Sequence, residues 1–541
     1  MYTYTSRGVS VPDRFQHVWS RSLLQPFAEV LTPFSYSVLA EITPRAWFRY
    51  YSRAGHTLAA PPRGIIRQHK GRPYLDIRWI AEQDAIFAGL TPPVLHVDGR
   101  DIPVCASPGN GLLSGLRFRR HRRRLRAAVE RLMEDLPEMR ATARSWFLKI
   151  REMRWTQAEI LQVMEEIERF GVDTLMVYYG TRWALERAYD VLLELLRDVD
   201  DLTATVRAVM ATLSDLEGLE ELNLTHAMLE LAALARENPA TMEWLKGRSF
   251  HDWPQTAPPG PFARRLQELM DRYGHWALGF SELRNPRWFE QPEFLFHGIL
   301  ACAQRAVEPP ARLPSKAARE HLLGQVDDRI RPQVEALLAD LRRYTVVQSQ
   351  ALDAYAYILA GTRLWALAAS REGYGDGRLE NPEDIFFFEL EEVKRMMTGE
   401  WNISAREEIR AVAAQRDQAY RQWLSERPGE VLLDEVELYP LHQGLPGVVG
   451  RASGPLRRQQ NLQPALCEDA VVGATQLDSG WAPALPVAGG LVEAAGTPLD
   501  PIVAAARIWH VPAVVGLGTD YDALVEGAQT TLDAGKAQVE Q

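Results

Sequence analysis

The chain has 541 residues with a formal net charge of −10, 46% hydrophobic and 24% charged residues. That length accommodates about two to four domains with cores of their own, and the acidic balance excludes an overall basic field for holding nucleic acid. Cys105, Cys302 and Cys467 are far apart and form no CxxC or Cys/His cluster, which argues against a disulfide framework and a structural zinc site. The first residues lack a basic segment followed by an apolar core, and no uncharged apolar run approaches the length of a membrane span. The expectation is a cytoplasmic protein with no membrane or nucleic-acid partner.

Residues 1–115 are rich in aromatics and proline, and Gly64 to Ile77 read as two short strands around a Lys70-Gly71 turn. The run Arg117-Phe118-Arg119-Arg120-His121-Arg122-Arg123-Arg124 reads as the solvated start of a helix, with contact to phosphate or an acidic partner as the alternative. Residues 116–434 then carry long amphipathic helices. Leu125, Val129, Leu132 and Leu136 keep helical spacing, as do Ile160, Val163, Met164, Ile167 and Phe170. Ala351 to Ala369 is apolar around much of its circumference, so a helix buried on several sides is expected. The clusters Trp47-Phe48-Arg49-Tyr50-Tyr51 and Phe386-Phe387-Phe388 read as core. From 435 to 541 short apolar runs alternate with Gly and Pro, which predicts a compact domain of short strands with a helix at about 501–509.

That last segment carries a resemblance. Gly444-Leu445-Pro446-Gly447-Val448-Val449-Gly450-Arg451, Asp478-Ser479-Gly480-Trp481-Ala482-Pro483, Gly496-Thr497-Pro498-Leu499-Asp500-Pro501, Ala504-Ala505-Ala506-Arg507 and Val511-Pro512-Ala513-Val514-Val515-Gly516 occur in that order. Together they resemble the mobile phosphohistidine domain of the phosphoenolpyruvate-utilising enzymes, such as pyruvate, water dikinase and rifampicin phosphotransferase. Leu31-Thr32-Pro33-Phe34-Ser35, Gly274-His275-Trp276 through Pro286-Arg287-Trp288-Phe289-Glu290, and Asn381-Pro382-Glu383-Asp384-Ile385-Phe386 are similar to segments of the rifampicin phosphotransferase group. The resemblance runs from about residue 15 to the end. It implies an ATP-grasp nucleotide-binding region that these residues do not resemble, and hence a stand-alone ATP-grasp protein as partner.

The departures concern chemistry. Pro501 stands where the family has the histidine that carries phosphate, and Asp500 where it has serine. An imidazole nitrogen can hold and release a phosphoryl group near neutral pH; proline has no side-chain nucleophile. Asp-Pro instead suits the start of a helix, with Asp500 expected to accept hydrogen bonds from the first N–H groups. His510, at the far end of that helix, is expected to be a helix-terminal residue. In the central segment the family's arginine is Trp276 and its glutamate Phe280. Two aromatics in place of two charges would favour an apolar ligand. His275, Trp276, Phe280, Glu282, Arg287 and Glu290 are therefore the candidate substrate pocket, with a buried polar network between helices as the competing reading. Gly496 and Arg507 belong to the mobile-domain motif.

The expectation is an α+β multidomain protein with a large, mostly helical central domain followed by a small β/α swivelling domain. Its function by resemblance is that of a phosphotransferase component with degenerate chemistry, binding no metal or cofactor itself and meeting ATP or phosphoenolpyruvate only through a partner. The alternatives are a repurposed biosynthetic enzyme acting on an apolar small molecule, with His275 or Glu282 in acid–base work, and a non-catalytic scaffold.

Overall fold

The computed structural model describes residues 3–25, 27, 30–107, 114–247, 249–311, 313–441, 444–458 and 467–541. Four long helices make the body: Pro33–Arg53, Ser114–Arg151, Gln157–Leu196 and Arg331–Gly375. Two of the starts carry side-chain caps. Thr156 and Glu159 form a reciprocal capping box at the start of Gln157–Leu196. Thr32 caps Pro33–Arg53, with Pro33 in the first turn. Arg331–Gly375 is lined with small and apolar residues between Ala351 and Ala368, and it is buried on several sides there, as its composition predicts. Gly361 permits the closest approach, because a Cβ at that position would sit 2.3 Å from the Trp146 ring.

Two mixed sheets flank the helices. In the first, the strand order is Ile66–His69, Arg72–Asp76, Val18–Ser20, Val431–Leu433, Val436–Pro440, Thr3–Thr5, Val94–Val97 and Arg100–Pro103. The hairpin Ile66–His69/Arg72–Asp76 turns at Lys70-Gly71, where both residues have positive φ, as a two-residue hairpin turn requires. In the second the order is Gln538–Glu540, Gln529–Asp533, Arg451–Arg458, Val471–Ala474, Gly490–Glu493, Ala513–Val515 and Leu445–Val448.

One boundary differs from expectation. The sequence places the start of the C-terminal domain at 435, but Val431–Leu433 and Val436–Pro440 pair with each other and with N-terminal strands. The first strand of the C-terminal sheet is Leu445–Val448. The texture change after Pro428-Gly429 is real, yet it marks the return of the chain to a sheet begun 400 residues earlier, which local composition cannot reveal.

The C-terminal sheet packs its helix, Pro501–Ile508, against the helical body, and every residue of that helix is buried. A continuous apolar core runs from Tyr4 through Phe34, Trp47, Tyr179 and Trp365 to Trp481, Ile502 and Val515. A smaller cluster of Leu456, Val471, Val492, Val514 and Leu532 fills the other face of the sheet. Trp509 Nε1 donates to Thr225 Oγ1 at 3.1 Å across the junction.

The closest contact at this junction lies at Gly480. A Cβ there would stand 2.0 Å from the Ala277 carbonyl oxygen, which belongs to rigid backbone. Gly480→Ala is expected to destabilise the protein by about 1–3 kcal/mol, measured by urea unfolding. A variant as stable as the parent would show that this junction yields freely.

Candidate functional site

The loop before Pro501–Ile508 holds the position of greatest interest. Pro501 occupies the first turn of the helix, and Asp500 immediately precedes it. The Asp500 carboxylate does not cap the helix as expected. It turns back and accepts from Thr497 N at 2.8 Å and Thr497 Oγ1 at 3.2 Å. Its strongest partner lies on another element: Arg182 Nη1, on Gln157–Leu196, donates to Asp500 Oδ1 at 2.8 Å. Both side chains are almost completely buried, 1% and 2% exposed. Arg182 Nε also donates to Glu186 Oε1 at 2.9 Å, one helical turn away. A guanidinium at this depth competes successfully with backbone N–H groups for the carboxylate, and Pro501 has already removed one of those donors.

The other motif residues of the loop hold its shape. Gly496 has φ +111°, and a Cβ there would meet the Glu493 carboxylate at 2.5 Å. Arg507 Nη2 donates to Pro498 O at 2.8 Å and Gly447 O at 3.1 Å, tying the loop to the edge strand. Burial depresses the Arg507 pKa to about 10. His510 lies beyond the helix end in the left-handed region, φ 56°, and its Nε2 contacts Ala311 O at 2.8 Å, in keeping with a helix-terminal role.

The six residues of the candidate central pocket lie close together in sequence but serve different contacts. His275 is 1% exposed, its Nε2 lies 3.1 Å from Asp353 Oδ1, and its ring stacks on Tyr357 at 3.4 Å. Burial lowers its pKa, so the ring is neutral at neutral pH and donates to the carboxylate. Trp276 Nε1 donates to the same oxygen at 2.8 Å. The guanidinium facing Asp353 comes from Arg140 on Ser114–Arg151, which also pairs with Glu220. Thus the positive charge beside Asp353 comes from a residue distant in sequence. Phe280 is buried against Phe27, while its N–H donates to Asp478 Oδ2 at 2.9 Å.

Glu282 accepts from Thr32 N, Thr32 Oγ1, Ser35 Oγ and Arg284 N, at 2.7–2.9 Å. It thereby reinforces the N-terminus of Pro33–Arg53, where the helix dipole favours negative charge. Glu290 accepts from Arg287 N and Arg363 Nε, each at 2.9 Å. The Arg287 guanidinium is fully buried, and none of its nitrogens has a partner among the described residues. Burial and then Arg363 pull its pKa down to about 10, against Glu290, Glu282 and Asp478. These contacts join helices and loops in separate polar groups, with the Arg287 guanidinium outside them; no two of the six are arranged as an acid–base pair.

The roomy concavity lies elsewhere. A cleft of about 500 Å³ opens between the N-terminal sheet, the 157–196 helix and the loop containing Gly496, Thr497 and Leu499. Its walls include Ile77, Pro92, Pro93, Val94, Trp183 and Leu195; Glu186, Asp190 and Glu430 face into it. Sequence reasoning missed this cleft. Glu186 and Asp190 are one turn apart on a helix, which is a visible signal, but Glu430 and the walls come from segments far away in the chain. The basic run at 117–124 lies on the Ser114–Arg151 helix, where Arg122 donates to Ala88 O at 3.0 Å.

Comparison with known proteins agrees with this architecture. Residues 177–353 match the family model described as the rifampicin phosphotransferase fourth domain, and residues 466–537 match the mobile domain of phosphoenolpyruvate-utilising enzymes. The matches support membership of the phosphoenolpyruvate-utilising enzyme family. A rifampicin phosphotransferase from Streptomyces sviceus is 27% identical over 322 residues, covering 54% of this chain and 36% of that protein. The chain therefore matches about a third of the length of this curated relative.

Two outcomes follow from the geometry. Asp500→Ala leaves Arg182 buried with only Glu186 as its charge partner and should cost about 3–5 kcal/mol, whereas Arg182→Met/Asp500→Leu should cost less. Urea unfolding of both variants distinguishes a coupled pair from two independent losses. Asp478, fully enclosed between the domains, has its pKa raised to about 7 by burial despite hydrogen bonds from Phe280 N and Gly480 N. A folded pKa above the unfolded value means the native state binds more protons between about pH 4 and 7. This residue's contribution to stability therefore falls as pH rises through that window, by at most about 1.4 kcal/mol per unit. Asp478→Asn should remove that part of the slope, read from unfolding free energies at pH 5 and 7.

Proposed function

We propose that this chain is a phosphotransferase component of the phosphoenolpyruvate-utilising family that does not carry phosphate on its C-terminal domain. One observation carries the reading. Where a carrier would need a nucleophilic ring at the helix start, Pro501 offers none, and the adjacent Asp500 is committed to a buried ion pair with Arg182. A phosphoryl group arriving there would meet a carboxylate, and displacing it would leave Arg182 to be satisfied again. The role that remains is positioning: holding a substrate or a partner while an ATP-grasp unit outside residues 1–541 handles ATP or phosphoenolpyruvate.

A repurposed enzyme acting on an apolar molecule through His275 or Glu282 has less support. His275 is sealed beneath Tyr357, and Glu282 already accepts four hydrogen bonds. A purely non-catalytic scaffold is compatible with the same contacts, and partner-dependent turnover separates it from the proposed component.

The purified chain incubated with γ-labelled ATP or labelled phosphoenolpyruvate, with and without an ATP-grasp protein, is expected to gain no acid-labile phosphate. Label on a histidine within residues 466–537 would falsify the reading. Stimulation of the ATP-grasp protein's turnover by the unlabelled chain would favour a component over a scaffold.

A further inference from the structure

The cleft beside the Asp500 loop has a chemical character that the loss of phosphoryl carriage neither requires nor explains. Five carboxylates line it (Asp101, Glu186, Asp190, Glu194 and Glu430) against the two guanidiniums of Arg187 and Arg197. Three of the acids, Glu430, Asp190 and Glu186, line the cleft together with Tyr4; burial raises the pKa of the Tyr4 phenol and each of the three raises it further. Burial likewise raises the pKa of each of the three, opposed by Arg182 at Glu186, by the amino-terminal charge and then Arg187 at Asp190, and by Arg21 at Glu430. The positive charge that the fold supplies is thus insufficient to offset their desolvation.

A second, independent feature concerns the uncharged groups. Gln25 and Tyr189 line the cleft and are each 3% exposed; Gln25 Oε1 and the Tyr189 hydroxyl have no hydrogen-bond partner among the described residues. His96 also lines it. Its Nδ1 lies 2.5 Å from Asp101 Oδ1 and carries the proton toward that carboxylate, which leaves Nε2, itself without a partner, as an acceptor. Oxygen and nitrogen lone pairs therefore dominate the open polar groups, and a buried acceptor without a donor is costly. A ligand that supplies N–H donors and positive charge satisfies the two open acceptors, Gln25 Oε1 and His96 Nε2; the Tyr189 hydroxyl, donor as well as acceptor, does not discriminate.

We propose that this cleft binds an organic cation, a protonated amine carried on an apolar body, with the ammonium toward the side lined by Glu186, Asp190 and Glu430 and the body against Pro92, Pro93 and Trp183. A metal ion fits less well, because no group of three metal-ligating side chains is close enough to hold one among the described residues. An anion is disfavoured by the charge balance. The volume suits a molecule of drug size.

The test uses three fluorescent probes built on one dansyl-alkyl body, ending in a primary amine, its N-acetyl derivative or a carboxylate. Titrated into the full chain, the amine should bind at least about tenfold tighter than either of the others. Asp190→Asn/Glu430→Gln should abolish that preference while leaving the N-acetyl probe within about twofold. Leu195→Trp, which fills the apolar wall, should weaken all three. Equal binding of the three probes, tighter binding of the carboxylate, or a preference that survives in the folded double variant would overturn the proposal. If the double variant does not fold, the ranking of the probes on the parent chain decides alone. The labelling experiment above has no bearing on this result, so the two readings fail separately.

Discussion

The contact between Arg182 and Asp500 organises the junction on which this structure depends. Two opposite charges, each almost wholly removed from water, face one another across the boundary between the helical body and the C-terminal sheet. Taking such groups out of water is expensive, and only close pairing with further hydrogen bonds recovers the cost. Glu186 supplies a second carboxylate to Arg182, and Thr497 two donors to Asp500. The pair is therefore weak evidence for net stability but a strong constraint on register, since any displacement of the C-terminal domain exposes an uncompensated buried charge.

Other contacts at the junction share that logic. Phe280 N donates to Asp478, Ser479 Oγ to Glu221 and Trp509 Nε1 to Thr225, so polar groups of the C-terminal domain end on the helical body at several depths. Around them the apolar core is continuous. The segment that matches the mobile domain of phosphoenolpyruvate-utilising enzymes is docked on the helical body here, with Pro501 buried at the start of its helix.

The docking also shapes the space beside it. The loop that bears Asp500 forms one wall of the large cleft, and Glu186 belongs both to the ion-pair chain and to the cleft's acidic floor. Occupancy of the cleft and attachment of the domain thus share a residue. The central network around His275 and Asp353 is separate. There Trp276 donates its N–H to Asp353, and Arg140 brings positive charge to the same carboxylate from another helix.

Much of the architecture was legible in the order of residues. Helical periodicity, the all-round apolar run at 351–369, the hairpin at 70–71 and the strand texture of the C-terminal segment are local properties, and local energetics decide them. That Pro501 brings no nucleophile was equally readable, because a pyrrolidine ring lacks one in any fold. Tertiary structure decided which partner each charge takes. Asp500 faces Arg182, 318 positions earlier, and not the helix it precedes; Glu282 braces Thr32, the helix cap 250 positions before it; and the strands around 435 join a sheet started at Thr3. Pairings over such distances depend on how whole elements pack, and one-dimensional patterns carry no term for that. The acidic cleft belongs to the same class, since a concavity exists only once the walls that enclose it have met.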